Sequence, residues 1–441
     1  MKNVYIETYG CQMNANDSGI VAKVLTDKGF ILVGEANDAD VVLLNTCSIR
    51  DNAEQRVKNR IAELNFLKRK KKNLLVGVLG CMAERLKDDL LTNFDVDIVV
   101  GPDSYRRIAD ALNDVSLSQE HNLLTALNAW ETYNDINPLQ MDTNGVTAFV
   151  SIMRGCENFC SYCVVPYTRG RERSRDCDSI VAECRELFAN GYREITLLGQ
   201  NVNSYLYQDG QTKTDFADLM VKVAQISPLL RLRFATSHPK DISDKLIKTI
   251  ASYNNICKMV HLPLQSGSND VLRRMNRKYT REDYLEKIKR IRQTIKDCSI
   301  STDIIVGFCG ETQQDFEDTL GVMEAVGYDY AFMFNYSERP NTLAAKKYED
   351  DITLQEKNRR LTQVINLQRE LSMASNRRDI GKVYEVLVEG ESKRSADKFF
   401  GRNSQNKVVV FDRGDISKGD YVNVRITDCT SATLIGKCDV G

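Results

Sequence analysis

Three cysteines share one short loop, Cys156, Cys160 and Cys163 in RGCENFCSYC, a C-x3-C-x2-C run that few scaffolds can present. A structural zinc ion normally takes four protein ligands, so three thiols leave such a site one short. A disulfide staple needs an oxidising compartment, and the chain shows no secretory signal. An iron–sulfur cubane with one iron lacking a protein thiolate is favoured over both, and chemistry would occur at that open iron.

The spacing, with the aromatic Tyr162 directly before the third cysteine, resembles the radical S-adenosylmethionine (SAM) superfamily. The resemblance makes the open iron a seat for the amino and carboxylate groups of SAM. One electron from the cluster would then yield a 5′-deoxyadenosyl radical. The chain is large enough for this: 441 residues, 42% hydrophobic and 27% charged, read as a soluble globular protein of two or three domains. Its 13 cysteines, an odd number without a signal peptide, argue for reduced thiols and a cytoplasmic location. No apolar run approaches a membrane span. A net charge of −1 makes no global case for nucleic acid, so RNA would have to be met by local patches. The obvious one, KRKKK at Lys68 to Lys72, reads first as a solvated helix terminus and second as an RNA contact.

Residues 1 to 100 alternate apolar strands with helical stretches. VYIET precedes DSGIVAKVLTDKGF, VVLLNT precedes an amphipathic run from Asn52 to Leu67, and LLVGVLG precedes MAERLKDDLL. This βαβ pattern predicts a parallel sheet. Cys11, Cys47 and Cys81 follow its three strands, and ligands of open parallel sheets gather beyond the carboxyl ends of strands. A second three-cysteine site is therefore expected, against the alternative of three buried structural thiols. Gly10 and Gly80 precede two of these cysteines, as a sharp turn beside a bulky ligand requires.

Residues 102 to 145, with LNDVSLSQEHN and NDINPLQMDTNG, read as an interdomain connection ending near Asn144. From Val146 the alternation resumes through TAFVSIM, REITLLG, LRFATS, CKMVHLPL, STDIIVG and YAFMFNY, with helices such as SIVAECRELFAN between them. Six βα units make an incomplete (β/α) barrel, whose mouth would hold the cysteine loop together with GQNVNSY, SHPKD, QSGSND and GFCGET. After a helix around Leu354 to Met373, β alternation takes over in VYEVLVEG, KVVVF, YVNVRIT and ATLIGKC. In YVNVRIT, Val422, Val424 and Ile426 face one way and Asn423 and Arg425 the other. The intervening SKRSADKFFGRNSQNK places basic residues beside Phe399 and Phe400, a mixture suited equally to RNA contact and to ordinary turns.

YIETYGCQMNANDS, NTCSIRDNAEQRV, LGCMAER, RGCENFCSYCVVPYTRGRERSR, LLGQNVNSY, TSHPKD, HLPLQSGS and DIIVGFCGET together resemble the methylthiotransferase family over nearly the whole chain. The resemblance implies three parts: an amino-terminal methylthiotransferase domain (1–120), a radical SAM domain (145–375) and a carboxyl-terminal RNA-binding TRAM β-barrel (376–441). It implies two [4Fe-4S] clusters, the SAM-cleaving one on Cys156, Cys160 and Cys163 and an auxiliary one on Cys11, Cys47 and Cys81. One SAM would methylate a sulfur held at the auxiliary cluster. A second would supply the radical that attacks carbon 2 of an isopentenylated adenosine beside a tRNA anticodon. That carbon bears an unactivated aromatic hydrogen, so a radical route is required, and the base must be splayed from its loop. Tyr162, Gln200, Asn201, Ser237, Gln265 and Asp303 are expected at SAM, and His238, Phe399 and Arg402 at the tRNA. For His238 and His261 a structural imidazole is an equal reading. Expected partners are the anticodon stem-loop, an electron donor such as flavodoxin or ferredoxin, and a sulfur or cluster donor; no membrane is involved and a monomer is expected. Cys309 and Asp176 stand where relatives often carry proline, and Cys309 is exposed to adventitious oxidation on this reading. Relatives with other acceptors, and a non-catalytic RNA-binding module with structural metal centres, remain alternatives.

Overall fold

Val41–Thr46 is buried at every residue, and a strand of that kind must be covered on both faces. In the computed structural model, which describes residues 2–48, 51–118, 121–141, 144–393 and 395–439, this strand is central to a six-stranded parallel sheet. In chain order the strands are β1 (Asn3–Thr8), β2 (Ile31–Leu32), β3 (Val41–Thr46), β4 (Leu75–Gly80), β5 (Ile98–Val100) and β6 (Asn122–Leu124). They lie side by side as β2-β1-β3-β4-β5-β6. The three strands expected from sequence are therefore adjacent. The other three have two or three residues each, too few for an alternation to show. Met1, Glu120 and Gly441, limits of the expected first and third parts, lie outside the described residues.

Helices α1 (Gln12–Asp27) and α5 (Ile108–Ser118) pack on one face of the sheet, while α2 (Asp51–Lys70), α3 (Cys81–Leu86) and α4 (Asp88–Phe94) pack on the other. Two expectations are corrected here. MAERLKDDLL is two helices, because Lys87 takes a left-handed φ of 45° and Asp88 and Asp89 then open a new first turn, where acidic side chains meet the helix dipole favourably. LNDVSLS is the second half of α5, where Ile108, Leu112 and Val115 form a buried stripe that Asp and Ser residues on the other face conceal in the sequence. The KRKKK run follows its first reading in part. Lys68 Nζ is 2.7 Å from Asp97 Oδ1 and Lys71 Nζ donates to the Ala39 carbonyl at 2.6 Å.

The second half is a barrel open on one side. Thr147–Ser151, Glu194–Leu198 and Arg231–Phe234 form one parallel arc, and Met259–His261, Ser299–Val306 and Tyr330–Asn335 a second. A parallel bridge between Leu232 and Ile256 joins the arcs. Asp176, where proline was noted in relatives, caps the helix Cys177–Ala189 by accepting from the Ser179 amide at 2.6 Å, so that start is stabilised differently. The helix Leu354–Arg377 closes over the carboxyl end of Ser299–Val306: Arg360 Nη1 is 2.7 Å from Glu311 Oε2, which also accepts from the Gly307 amide at 2.6 Å. GFCGET thus latches the barrel to this helix. Cys309 is 2% exposed among Phe308, Tyr336 and Met275, out of reach of adventitious oxidation.

Residues 383 to 438 close into a five-stranded barrel. The stretch expected as a connection is mostly a strand, Ser395–Asn403. Phe399 points inward, 5% exposed, among Val386, Phe411 and Val424, so its ring offers no face to a base. Two SAM-barrel arginines hold the small barrel by its backbone. Arg231 Nη1 donates to the Arg402 carbonyl at 2.7 Å, and Arg233 Nη2 to the Asn403 carbonyl at 2.7 Å. The Arg402 side chain itself pairs with Glu389 at 2.6 Å.

Phe399→Ala removes a core aromatic and is expected to cost about 3 kcal/mol in the small barrel. Equilibrium denaturation should show that loss, with a smaller one for Phe400→Ala at the half-buried neighbouring position.

Candidate functional site

Cys11 follows β1 as the residue that caps α1, Cys47 follows β3, and Cys81 opens α3 directly after β4. Pairing of Thr8 with Asn45 and of Thr46 with Gly80 brings the three strand ends level. The turns are tight. Gly10 has φ 122°, and a Cβ there would lie 2.4 Å from the Cys47 Cβ; Gly80 has φ 89°, and its Cβ would lie 2.7 Å from the Thr46 carbonyl oxygen. Glycine is therefore required at both. A hydrogen bond with Cys47, and then the charge of Arg169, hold the Cys11 thiol down at about 6. Arg169 Nε is 3.2 Å from Cys81 Sγ. Thiols at helix amino-termini beside a guanidinium favour the thiolate, the form that binds metal.

The second triad sits in the loop after Thr147–Ser151. Gly155 has φ 80° and approaches the Arg171 carbonyl so closely that a Cβ would sit 1.9 Å away. Burial pushes the Cys156 thiol up to about 11 and raises Cys163 further, with Cys160 adding to both. A counter-charge is supplied by Arg277, which donates from Nη1 to Cys160 Sγ at 3.3 Å, from Nη2 to the Pro263 carbonyl at 2.9 Å and from Nε to the Tyr279 hydroxyl at 2.8 Å. Burial opposes ionisation of these thiols, and the buried guanidinium offsets part of that cost when they lose their protons to solvent on binding a metal. Among the described residues no three Cys, His, Asp or Glu side chains close on a single ion.

Between the triads lies a cavity of about 1080 Å³. Gly10 and Ser48, neighbours of Cys11 and Cys47, line one side, and Tyr162, Cys163 and Val164 another. Cys163 and residues next to Cys11 and Cys47 thus border one space. Of the residues expected at SAM, Tyr162, Gln265 and Asp303 line it. Gln265 has φ 73° and is tied to the adjacent strand by the Ile305 amide at 2.9 Å. Asp303 Oδ2 is 3.5 Å from Nε2 of His261, whose Nδ1 meets Ser301 Oγ at 3.0 Å. The remaining three are not among its lining residues. Gln200 accepts from the Gly155 amide at 2.5 Å and so shapes the cysteine loop. Asn201 donates to Asp241 at 2.7 Å, while its Oδ1 and the Ser237 hydroxyl are buried without a hydrogen-bond partner. Orphaned polar atoms of that kind fit a bound polar ligand.

His238, read from sequence as either a tRNA contact or a structural imidazole, is buried beside Tyr279. It is 4% exposed, its Nδ1 accepts from the Lys240 amide at 3.2 Å, and its ring meets Tyr279 edge-on at 5.6 Å. Burial, then Arg277 and Lys240, lower it to about 2, so it is neutral at physiological pH. Arg154, Arg169, Arg277 and Asp17 were missed in the sequence reading. Asp17 is fully buried and accepts from Arg154 at 2.8 Å and from Arg169 at 2.8 Å, joining the two halves of the chain. For Arg154, Arg169 and Asp17 the one sequence signal was a position within six residues of a motif cysteine; Arg277 carried none.

The family profile described as Radical SAM superfamily matches residues 150–323, that of Uncharacterized protein family UPF0004 residues 3–101, and that of the TRAM domain residues 377–438. The chain is 54% identical to the tRNA-2-methylthio-N(6)-dimethylallyladenosine synthase of Amoebophilus asiaticus, covering 99% of this chain and 92% of that one. It is 54% identical to the protein of the same name from Bacteroides fragilis, covering 99% and 95%. Among solved structures it is similar in fold to the radical S-adenosylmethionine methyltransferase TsrM from Kitasatospora setae, with a TM-score of 0.58 and 14% identity over 78% of this chain and 75% of that one. The cobalamin-dependent S-adenosylmethionine radical enzyme OxsB gives 0.54 at 12% identity, over 83% and 56%.

Gly80→Ala is expected to displace Cys81 and lower the iron bound per chain, whereas Gly321→Ala, with open space at its Cβ, should leave it unchanged; iron analysis after anaerobic reconstitution reads both. A histidine held at about 2 when folded and near 6.5 when unfolded costs stability as pH falls below 6.5, because the unfolded chain alone gains the proton. Between pH 6 and 5, His238→Gln should flatten the acid loss of stability of the cluster-free chain by about 1 kcal/mol per pH unit. Denaturant midpoints at the two pH values check it.

Proposed function

The chain belongs to the tRNA-2-methylthio-N(6)-dimethylallyladenosine synthase family, radical SAM methylthiotransferases that act on tRNA with SAM and [4Fe-4S] clusters, and on that premise we propose that the cavity between its two cysteine triads is the reaction chamber. The observation that carries this reading is that neighbours of Cys11, Cys47 and Cys163 border one space of about 1080 Å³. With Cys156, Cys160 and Cys163 holding one cluster and Cys11, Cys47 and Cys81 the other, the bound groups supply a carbon-centred radical and a transferable methylated sulfur.

This chain's own residues bind and orient. Tyr162, Gln265 and Asp303 face the SAM side of the cavity, and the Asp303 carboxylate, oriented by His261, is an acceptor for a hydroxyl or amine. Asn201 and Ser237 keep unpaired polar atoms at neighbouring strand ends, and Gln200 holds the loop that presents the thiols. Ile305, Met333, Ile352, Leu354 and Leu361 give the same cavity an apolar wall. A dimethylallyl tail attached to the base gains by burial there, about 25 cal/mol for each Å² of apolar surface removed from water. Arg56, exposed on α2 at the rim, is placed to meet a phosphate of the anticodon loop. The small barrel, docked through its Arg402–Ser404 backbone, presents its opposite surface to the rest of the stem-loop.

The electron donor would be a flavodoxin or ferredoxin, and a separate protein would replenish sulfur or cluster. A monomer in the cytoplasm is the form proposed; among the described residues no helix is long and apolar enough to cross a membrane.

The test is an anaerobic comparison of wild type with the two triple Cys→Ala variants, following iron, sulfide, SAM cleavage and the nucleoside made on isopentenylated tRNA. Each variant should lose about half the iron, and the Cys156/Cys160/Cys163 variant alone should stop cleaving SAM. Methylthio product from the Cys11/Cys47/Cys81 variant would overturn the assignment of the amino-terminal triad. Leu361→Arg should raise KM for isopentenylated tRNA about tenfold, by placing a charge on the apolar wall, while SAM cleavage without tRNA continues.

A further inference from the structure

One buried cation reaches from the SAM half of the chain to a thiol of the amino-terminal triad. Arg169 follows the short helix Val165–Thr168 that leads away from the cysteine loop. Its side chain is 4% exposed. Nε donates to Cys81 Sγ at 3.2 Å, Nη2 donates to Asp17 Oδ2 at 2.8 Å, and Nη1 is buried without a hydrogen-bond partner. Around it the charges do not cancel. Arg154, Arg169 and Arg173 face two carboxylates, Asp17 and Asp103. The Tyr105 hydroxyl, 3.4 Å from Asp17, stays protonated because burial raises it well above its ordinary value. The surroundings of Cys81 therefore carry an excess positive charge in a region closed to water, where charge acts over longer distances than in solvent.

A cluster gains one negative charge when it takes up an electron. A guanidinium within hydrogen-bond distance of a ligand sulfur stabilises the reduced form more than the oxidised form, and so raises the reduction potential. We propose that Arg169 sets the reduction potential of the cluster held by Cys11, Cys47 and Cys81, holding it above the value a neutral side chain would allow; this rests on the assignment of that triad to a cluster. Arg169 is a positioning and tuning residue that acts through Cys81 and touches no substrate. Its reach comes from the SAM half of the chain, so the tuning exists only when the two halves are docked. Asp17 moderates it, because its carboxylate offsets part of the guanidinium charge. Arg277 occupies the corresponding place beside Cys160.

The experiment is a dye-mediated redox titration of the full-length protein carrying both clusters, with dithionite as reductant and electron paramagnetic resonance as readout. Added SAM marks the signal of the cluster on Cys156, Cys160 and Cys163. Arg169→Met should move the midpoint of the other cluster to a more negative potential and leave the SAM-responsive midpoint where it was. Arg169→Lys should restore most of the shift, and Asp17→Asn should move the same midpoint the opposite way. An unchanged midpoint in Arg169→Met with full iron content, or equal shifts at both clusters, overturns the proposal. If Arg169→Met loses its auxiliary iron, Asp17→Asn decides by the presence or absence of the upward shift. Loss of that iron in both variants shows that these residues merely hold the site together, and overturns the tuning role. A wild-type protein with no second signal sinks the cluster assignment itself, a failure distinguishable from an unchanged midpoint.

Discussion

A carboxylate with no exposed surface is the point on which the two halves of this protein depend. Asp17 lies on α1, six residues beyond Cys11, and is neutralised by Arg154 and Arg169. These arginines bracket the C-x3-C-x2-C loop, one before Cys156 and one after Cys163. The helix that starts at one thiol triad is thereby tied to both ends of the loop that carries the other. Buried ion pairs seldom add much net stability, because desolvation consumes most of the attraction, but losing one partner leaves a buried charge that costs several kcal/mol. Docking with any other face of α1 against the loop would incur that cost, so the pairing selects one arrangement.

That arrangement explains the shape of the cavity. The amino-terminal sheet delivers Gly10 and Ser48 to one wall, the SAM loop delivers Tyr162 to Val164, and the strand ends of the second barrel arc deliver Gln265 and Asp303. The backbone comes close at each edge: the glycines at 10, 80 and 155 have no room for a Cβ beside their neighbours. The thiols are held by rigid strand ends, while Arg169 and Arg277 supply positive charge to sulfurs that must lose protons to bind iron. Tyr105, Tyr133 and the arginine cluster around Asp17 seal the junction behind them, with the Arg154 guanidinium 4.8 Å above the Tyr133 ring.

Much of this was legible because the chemistry is written in spacing. The six cysteines and the glycines before two of them could be read with their structural positions, since a thiol after each of three parallel strands has one edge at which to meet the others. Strands of two or three residues could not be read, and α5 was hidden behind a polar face. Phe399 illustrates a different failure. Beside Phe400 and several cations it looked like a stacking surface, but side chains alternate across a strand, and Phe399 is the inward member of the pair. For His238 the sequence left a structural imidazole and a tRNA contact open, because burial against Tyr279 is invisible in TSHPKD.

By itself the sequence determined the two triads, the βα alternation, the carboxyl-terminal β region and the family to which all of these belong, because each depends on local spacing or on periodicity along the chain. Only the tertiary structure decided which cations stand beside which sulfurs, and that Asp17 joins the halves. It also decided that Tyr162, Gln265 and Asp303 line one cavity with Gly10 and Ser48, neighbours of two amino-terminal cysteines. Those are contacts between residues tens to more than a hundred positions apart, and no pattern of neighbours encodes a meeting that depends on how whole domains pack.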